Sequence, residues 1–345
     1  MSSKVVFIQG GGIGLVQERA VRSILAHTDL PCDDWLSYPA GAYAQEQGLE
    51  PLASELLEAI KQHKVAVKTK LLNSADQPYA NYNVQLRQKL GLFAAVRPIR
   101  NLNGLPARFT NVDILLLREI TEDLYSSIEH EIVPGVVESI KVVTEAACLR
   151  FFQFVFETAR SLGRKTVHCI HKANILKLAD GLMLNCFQHV AQQFPDLTAK
   201  DMIVDNCFMQ LVARPHQFDV LATGNLYGDM ISDLGSGLVG GISNAVGVNH
   251  GNGVRVFECI HGGPKTAIPP DQVNPLPMLF TVLEMFRATG HANEASRVQS
   301  AVEQTLVQGH QQDSAFGRKV TTDQLVHLIT QALLAKTAGS RSSMG

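Results

Sequence analysis

The chain has 345 residues, 46% hydrophobic and 18% charged, and 30 Lys plus Arg against 32 Asp plus Glu leave a formal charge of −2. A chain of this make-up can bury a large core spread over about two domains, which excludes intrinsic disorder. With no basic excess and no apolar run near the ~18 residues of a membrane span, neither nucleic acid nor membrane is an expected partner.

In chain order, Val5 to Ile8 reads as a strand entering the run Gly10-Gly11-Gly12-Ile13-Gly14. That apolar run is too short for the core of a signal peptide. Leu15 stands where a dinucleotide fingerprint needs its third glycine, so the run is read as a tight strand-to-helix turn. Gln17 to Ala26 and Leu52 to Gln62 carry helical patterns, and Val65 to Val67 is a short strand. Val112 to Leu117 is strand-like, Val142 to Ser161 helical, and Thr166 to Ile170 and Phe218 to Ala222 are strands. Strands interleaved with helices predict an α/β architecture with a largely parallel sheet. No repeat or low-complexity linker marks a boundary, and the tail after Ala338 reads as a frayed end. Cysteines 32, 148, 169, 186, 207 and 259 form no Cys-x-x-Cys pair, which points to a reducing, cytoplasmic type of compartment.

Arg87, Arg97 and Arg118 recur within about 30 residues, with Asn83 nearby, and clustered guanidinium groups suit a di- or tricarboxylate. Singly, each is an ordinary surface charge. Asp229 and Asp233 lie four apart in a glycine-rich stretch and share one helical face. Oxygen donors without His or Cys favour Mg²⁺ or Mn²⁺ over zinc, the alternative being acids placed near a helix start. Lys172 follows a strand and suits a proton shuttle if desolvated, though a lone lysine is more often on the surface. His168 and His171 would face opposite sides of that strand, which argues against a metal pair.

Together, residues 83–98, 118–130, 171–184, 202–206, 218–234 and, more loosely, 257–262 resemble the β-decarboxylating isocitrate and isopropylmalate dehydrogenases, in particular subunits of NAD-dependent isocitrate dehydrogenases. The resemblance implies that family's α/β fold, distinct from the Rossmann fold, with a discontinuous large domain. Residues 1–93 plus 241–345 would form this cofactor-side domain, and 94–240 a small domain with the dimer interface, metal and catalytic residues. It implies oxidative decarboxylation of a 2-hydroxy di- or tricarboxylic acid, with isocitrate converted to 2-oxoglutarate as the leading case. Arg87, Arg97, Arg118, Asn83 and Asn81 would bind substrate, and Tyr125 and Lys172 would move protons. Asp229 and Asp233 would hold Mg²⁺ or Mn²⁺ with Asp205, and both Asp205 and Lys172 would come from the second subunit. The implied partner is therefore a second copy sharing its active sites, or a related subunit in a hetero-oligomer.

The cofactor half departs from the family pattern. TKLLNS at 69–74 stands in place of a Gly-Pro-Leu-Thr-Thr turn, so Leu72 and Asn73 replace two threonines. Asn81 aligns with the substrate-contacting serine. Thr266 takes the position of the ribose-binding Asp, leaving His261 and Asn274 of the adenine contacts. NAD is the expected cofactor and NADP the alternative, with Lys265 placed to meet a 2′-phosphate. A changed 2-hydroxy-acid substrate and a non-catalytic regulatory subunit are the other two readings.

Overall fold

The computed structural model describes residues 4–32, 34–74, 81–241, 245–264, 266–308 and 320–342, with side chains to residue 335. Lys265 lies outside the described residues. The first half of the chain gives β1 (Val6–Gln9), α1 (Gly14–Leu25), β2 (Leu36–Pro39), α2 (Ala42–Glu46), α3 (Ser54–His63), β3 (Val65–Lys68), α4 (Tyr82–Leu90), β4 (Ala94–Arg100), β5 (Asp113–Glu119), β6 (Asp123–Val133), β7 (Val136–Val142) and α5 (Glu145–Ser161). The second gives β8 (Thr166–His171), α6 (Ala179–Ala191), β9 (Thr198–Ile203), α7 (Val204–Ala213), β10 (Val220–Thr223), α8 (Asn225–Leu238), β11 (Val246–His250), β12 (Arg255–Cys259), α9 (Leu276–Ala288), α10 (Ala292–Val307) and α11 (Thr322–Ser342).

Ten strands form one sheet in the order β2-β1-β3-β12-β11-β4-β5-β10-β8-β9, and β6 and β7 form a separate hairpin. The expected parallel pairing holds on both flanks, but the centre is antiparallel: β11 runs against both β12 and β4, and β4 against β5. No crossover helix separates β4 from β5 or β11 from β12, and a parallel neighbour would need one.

Helices cover both faces, as the period-2 alternation of the strands requires. In β1, Phe7 joins the core beneath α1, α9, α10 and α11, whereas Val6 and Ile8 face α3 and α4. In β5, Leu115 and Leu117 pack with α5 and α6, and Ile114 and Leu116 with α7 and α8. The long helical stretch starts later than its pattern suggested. Val142 still belongs to β7, and Thr144 caps α5 by accepting from Ala147 N. The C-terminal stretch is a further correction: α11 continues through Gly339 to Ser342, because extending a nucleated helix costs far less than starting one.

The glycine run makes the expected turn. Gly11 and Gly12 have φ of 80° and 58°, and α1 begins at Gly14. The turn is seated on two other segments. Gly10 N donates to Thr69 Oγ1 at 2.7 Å, and Ile13 N to Gly263 O at 3.0 Å. A Cβ at Gly10 would stand 2.1 Å from Lys70 O, a backbone atom that cannot swing aside. Gly10→Ala should therefore lower stability by about 1–3 kcal/mol. A urea midpoint equal to that of the wild type would show that the turn and the 69–71 segment part freely.

Candidate active site

A cavity of about 260 Å³ opens where β3, β4, β5, β12, α4 and α8 meet. Among its lining residues are five cations (Lys68, Lys70, Arg87, Arg97 and Arg118) and three carboxylates (Asp229, Asp233 and Glu258). The arginines singled out in the sequence therefore converge, although they come from a helix and two strands.

Each of them is held by the protein's own groups. Arg118, at the end of β5, donates to Asn225 Oδ1 from Nε at 3.0 Å and from Nη2 at 2.6 Å, and its Nη1 pairs with Asp229. Its stem lies against α8 because residue 228 is glycine: a Cβ there would come within 2.6 Å of Arg118 Cγ. Arg97 Nη1 donates to Ser232 Oγ at 2.7 Å and lies 3.8 Å from Asp229. Burial, followed by repulsion from Arg118, pulls the Arg97 guanidinium down to about 10. Arg87 Nη2 sits 3.5 Å from Glu258.

Glu258 and Lys68 carry no site role in the sequence reading, yet they form the floor of the cavity. Both are buried, 3.4 Å apart, and Glu258 also faces Arg97 at 3.8 Å and accepts from Asn249 Nδ2 at 2.7 Å. Burial alone would raise the Glu258 carboxyl; Lys68, Arg87 and Arg97 outweigh it and hold the group well below the usual carboxylate range. Lys68 itself is lowered, by burial first. The signal for both was a charged residue inside an otherwise apolar strand, in VAVK and in RVFEC.

Tyr125, on β6, donates from its hydroxyl to Asp229 Oδ2 at 2.5 Å, and its ring lies 5.0 Å beneath the Arg118 guanidinium. Burial, then the bond to Asp229, raises the phenol, so it keeps its proton. Burial would raise Asp229 as well, but Arg118, the Tyr125 bond and Arg97 together lower it. Asp233 lines the same cavity from the next turn of α8.

The amides are partly committed elsewhere. Asn83 Oδ1 accepts from Lys68 Nζ at 2.8 Å and its Nδ2 donates to Leu71 O, so it ties β3 to α4. Asn81 has φ of 44° and caps α4 through Val84 N. Lys172 and Asp205 are not among the cavity-lining residues. They pair with each other at 2.5 Å, and Lys172 N donates to Asp180 Oδ2. That pair lowers the Asp205 carboxyl. His171 bonds Asp201 at 3.2 Å and His168 packs edge-on against Phe218, so the two histidines go separate ways.

Among the residues expected to face the cofactor, Leu72 packs against Gly12, next to the Gly263 carbonyl that receives Ile13 N. Asn73 and Thr266 are exposed. Asn274 is buried, its Oδ1 accepting from Leu276 N at the start of α9, and His261 gives its carbonyl to the Cys259 thiol at 3.3 Å.

No group of three His, Cys, Asp or Glu residues able to hold a metal occurs among the described residues. Asp229 and Asp233 both line the cavity and offer the oxygen donors that a hard divalent ion takes.

The family model for isocitrate/isopropylmalate dehydrogenase matches residues 4–329. The chain belongs to the isocitrate/isopropylmalate dehydrogenase family. It is 35% identical to an NAD isocitrate dehydrogenase catalytic subunit (subunit 5, mitochondrial) of Arabidopsis thaliana, over 94% of this chain and 87% of that protein. It is 36% identical to the chloroplastic 3-isopropylmalate dehydrogenase of Solanum tuberosum, over 89% and 86%. The crystal structure of isocitrate dehydrogenase from Methylococcus capsulatus superposes with a TM-score of 0.88 at 34% identity, covering 96% of this chain and 99% of that one.

Within this family member, removing the Glu258 charge leaves Lys68, Arg87 and Arg97 buried without it. Glu258→Gln should cost about 3–5 kcal/mol at pH 7. Because the folded-state value is depressed, the stabilisation is complete above the ordinary value of about 4.3 and is lost as pH falls below it. The urea-derived gap between wild type and variant should accordingly narrow from pH 5 to pH 3. A constant gap would mean that the carboxyl is not ionised at neutral pH.

Proposed function

We propose that the chain is a metal-dependent, nicotinamide-linked dehydrogenase that oxidises and decarboxylates a 2-hydroxy di- or tricarboxylic acid, with isocitrate the leading substrate and NAD the leading cofactor. The observation that carries this reading is that one cavity gathers Arg87, Arg97, Arg118, Tyr125, Asp229 and Asp233. The arginines would hold carboxylates bidentately. The nicotinamide would accept the C2 hydride. A divalent ion held by Asp229 and Asp233 with the second copy's Asp205 would polarise the developing ketone as a Lewis acid. Lys172 of the second copy would take the hydroxyl proton. Departure of CO₂ leaves its bonding pair on carbon, and Tyr125, which keeps its phenolic proton, would donate to that carbon.

Sharing between two copies is supported by the separation of the Lys172–Asp205 pair from the cavity lining and by the apolar surface around it. Ile175, Leu178, Met209 and Val212, with Val133, Val136 and Val137 at the hairpin end, are all exposed. Such a surface suits burial against a second copy. The two-domain division at 93/94 and 240/241 belongs to the same proposal. It is supported by the strand order, in which β2, β1, β3, β12 and β11 lie on one side and β4, β5, β10, β8 and β9 on the other. No helix among the described residues is long and apolar enough to cross a membrane, and a reducing, cytoplasmic compartment is proposed from the cysteine usage alone. The regulatory-subunit reading is the weaker one, since Asp205, Asp229, Lys172 and Tyr125 are all present. The commitment of Asn81 to capping α4 favours, as a second reading, a related 2-hydroxy acid.

The test is a reduced-nicotinamide absorbance assay with isocitrate, isopropylmalate and malate, Mg²⁺ or Mn²⁺, and NAD or NADP. Lys172→Ala and Asp229→Asn should each lower kcat at least about 100-fold. Mixing the two dead variants through unfolding and refolding should restore turnover, because a mixed dimer holds one intact site. Activity restored by neither mixture nor time would sink the shared site, and a wild type inert toward all three acids would sink the reaction.

A further inference from the structure

We propose that Lys70 determines substrate specificity by pairing with a carboxylate beyond those the arginines take, so that the cavity selects a tricarboxylic over a dicarboxylic 2-hydroxy acid. The inference rests on the reading of this cavity as a carboxylate site.

Four of the five cations that line the cavity already have a carboxylate within 4 Å. Lys68, Arg87 and Arg97 face Glu258, and Arg118 faces Asp229. Lys70 is the exception among the described residues: its ammonium makes no ion pair and no hydrogen bond, and the residue is exposed at the rim. Its backbone and the first part of its side chain are packed. The Lys70 carbonyl is pressed against Gly10, and its stem lies over the Gly262 backbone, where a Cβ would come within 2.4 Å of Lys70 Cβ and 3.2 Å of its Cδ. Glycine at 262 is what lets the side chain lie flat there. The stem is held as far as Cδ, which keeps the unpartnered ammonium at the cavity rim, within reach of an anion bound there.

The amides that line the cavity with Lys70 are neutral. Asn83 is bonded to Lys68 and Leu71, and Asn81 has its oxygen on the cap of α4, so the two amides bring no positive charge to a carboxylate. A carboxylate entering past the arginines would find Lys70 as the free positive charge. A dicarboxylate has no such group to offer.

Isothermal titration of the full-length protein with isocitrate and with malate, in excess Mg²⁺ and without nucleotide, reads this directly. Lys70→Met should weaken isocitrate binding about tenfold and leave malate within about twofold. Lys70→Arg should keep isocitrate within about threefold of the wild type. Equal weakening of both acids, or of neither, would overturn the assignment. So would a Lys70→Met variant that loses NAD or NADP affinity while binding both acids normally, which would give Lys70 to a nucleotide phosphate. A wild type that binds neither acid would overturn the carboxylate reading of the cavity and this inference with it.

Discussion

The burial of Glu258 among Lys68, Arg87 and Arg97 is the constraint around which the middle of the sheet is arranged. Each unpaired buried ion costs several kcal/mol even after relaxation, so three cations can be brought together only around a carboxylate that is buried with them. The strand order does this in register. β12 lies between β3 and β11, which puts Glu258 directly beside Lys68 on one side, with Asn249 of β11 bonded to it from the other. β11 pairs in turn with β4, the strand that carries Arg97. Asp229 plays the matching role on the other wall, where it neutralises Arg118 and leans on Arg97. The antiparallel centre of the sheet thus has an electrostatic consequence: it brings the Glu258 carboxylate into contact with arginines encoded more than 160 residues earlier.

This explains what the sequence disclosed and what it withheld. The flanking strands and their helices were legible because both faces of each strand are covered, giving short apolar runs between helical patterns, as in Val65–Lys68 and Val220–Thr223. β4 escaped notice because Arg97, Pro98 and Arg100 interrupt it, and its place in the sheet comes from long-range pairing with β5 and β11. The hairpin β6–β7 was hidden for the opposite reason: most of its residues are exposed, so no buried face imprinted an alternation. The arginines and the α8 aspartates were found by residue type and spacing, and Tyr125 through the family resemblance. Glu258 and Lys68 were missed because a single charge inside an apolar strand has no local meaning until its counter-charge, 190 residues away, is placed beside it.

The segments 69–72 and 262–263 belong to one packing unit with the glycine turn. Thr69 fills the space left by the missing Cβ of Gly14 and accepts from Gly10 N, Lys70 lies over Gly262, and Leu72 closes against Gly12. A change in any one of these residues alters the room available to the others, so the glycine turn, the 69–72 segment and the 262–263 loop have to vary together. The arginine cavity is anchored separately, through Glu258 and Asp229.

That separation of anchors also bears on the pairing of Lys172 with Asp205. In the single chain each is the other's counter-charge, at an exposed place where an ion pair contributes little to stability. The proposed reaction asks them to part, one to accept a proton and the other to ligate a cation. A strong buried pair would resist that exchange, as the Glu258 cluster does. A half-exposed pair does not. The two kinds of ion pair in this molecule thus differ by depth: the buried one fixes the cavity's shape and charge, and the exposed one is the kind that the proposed reaction, with a second copy, would need to rearrange.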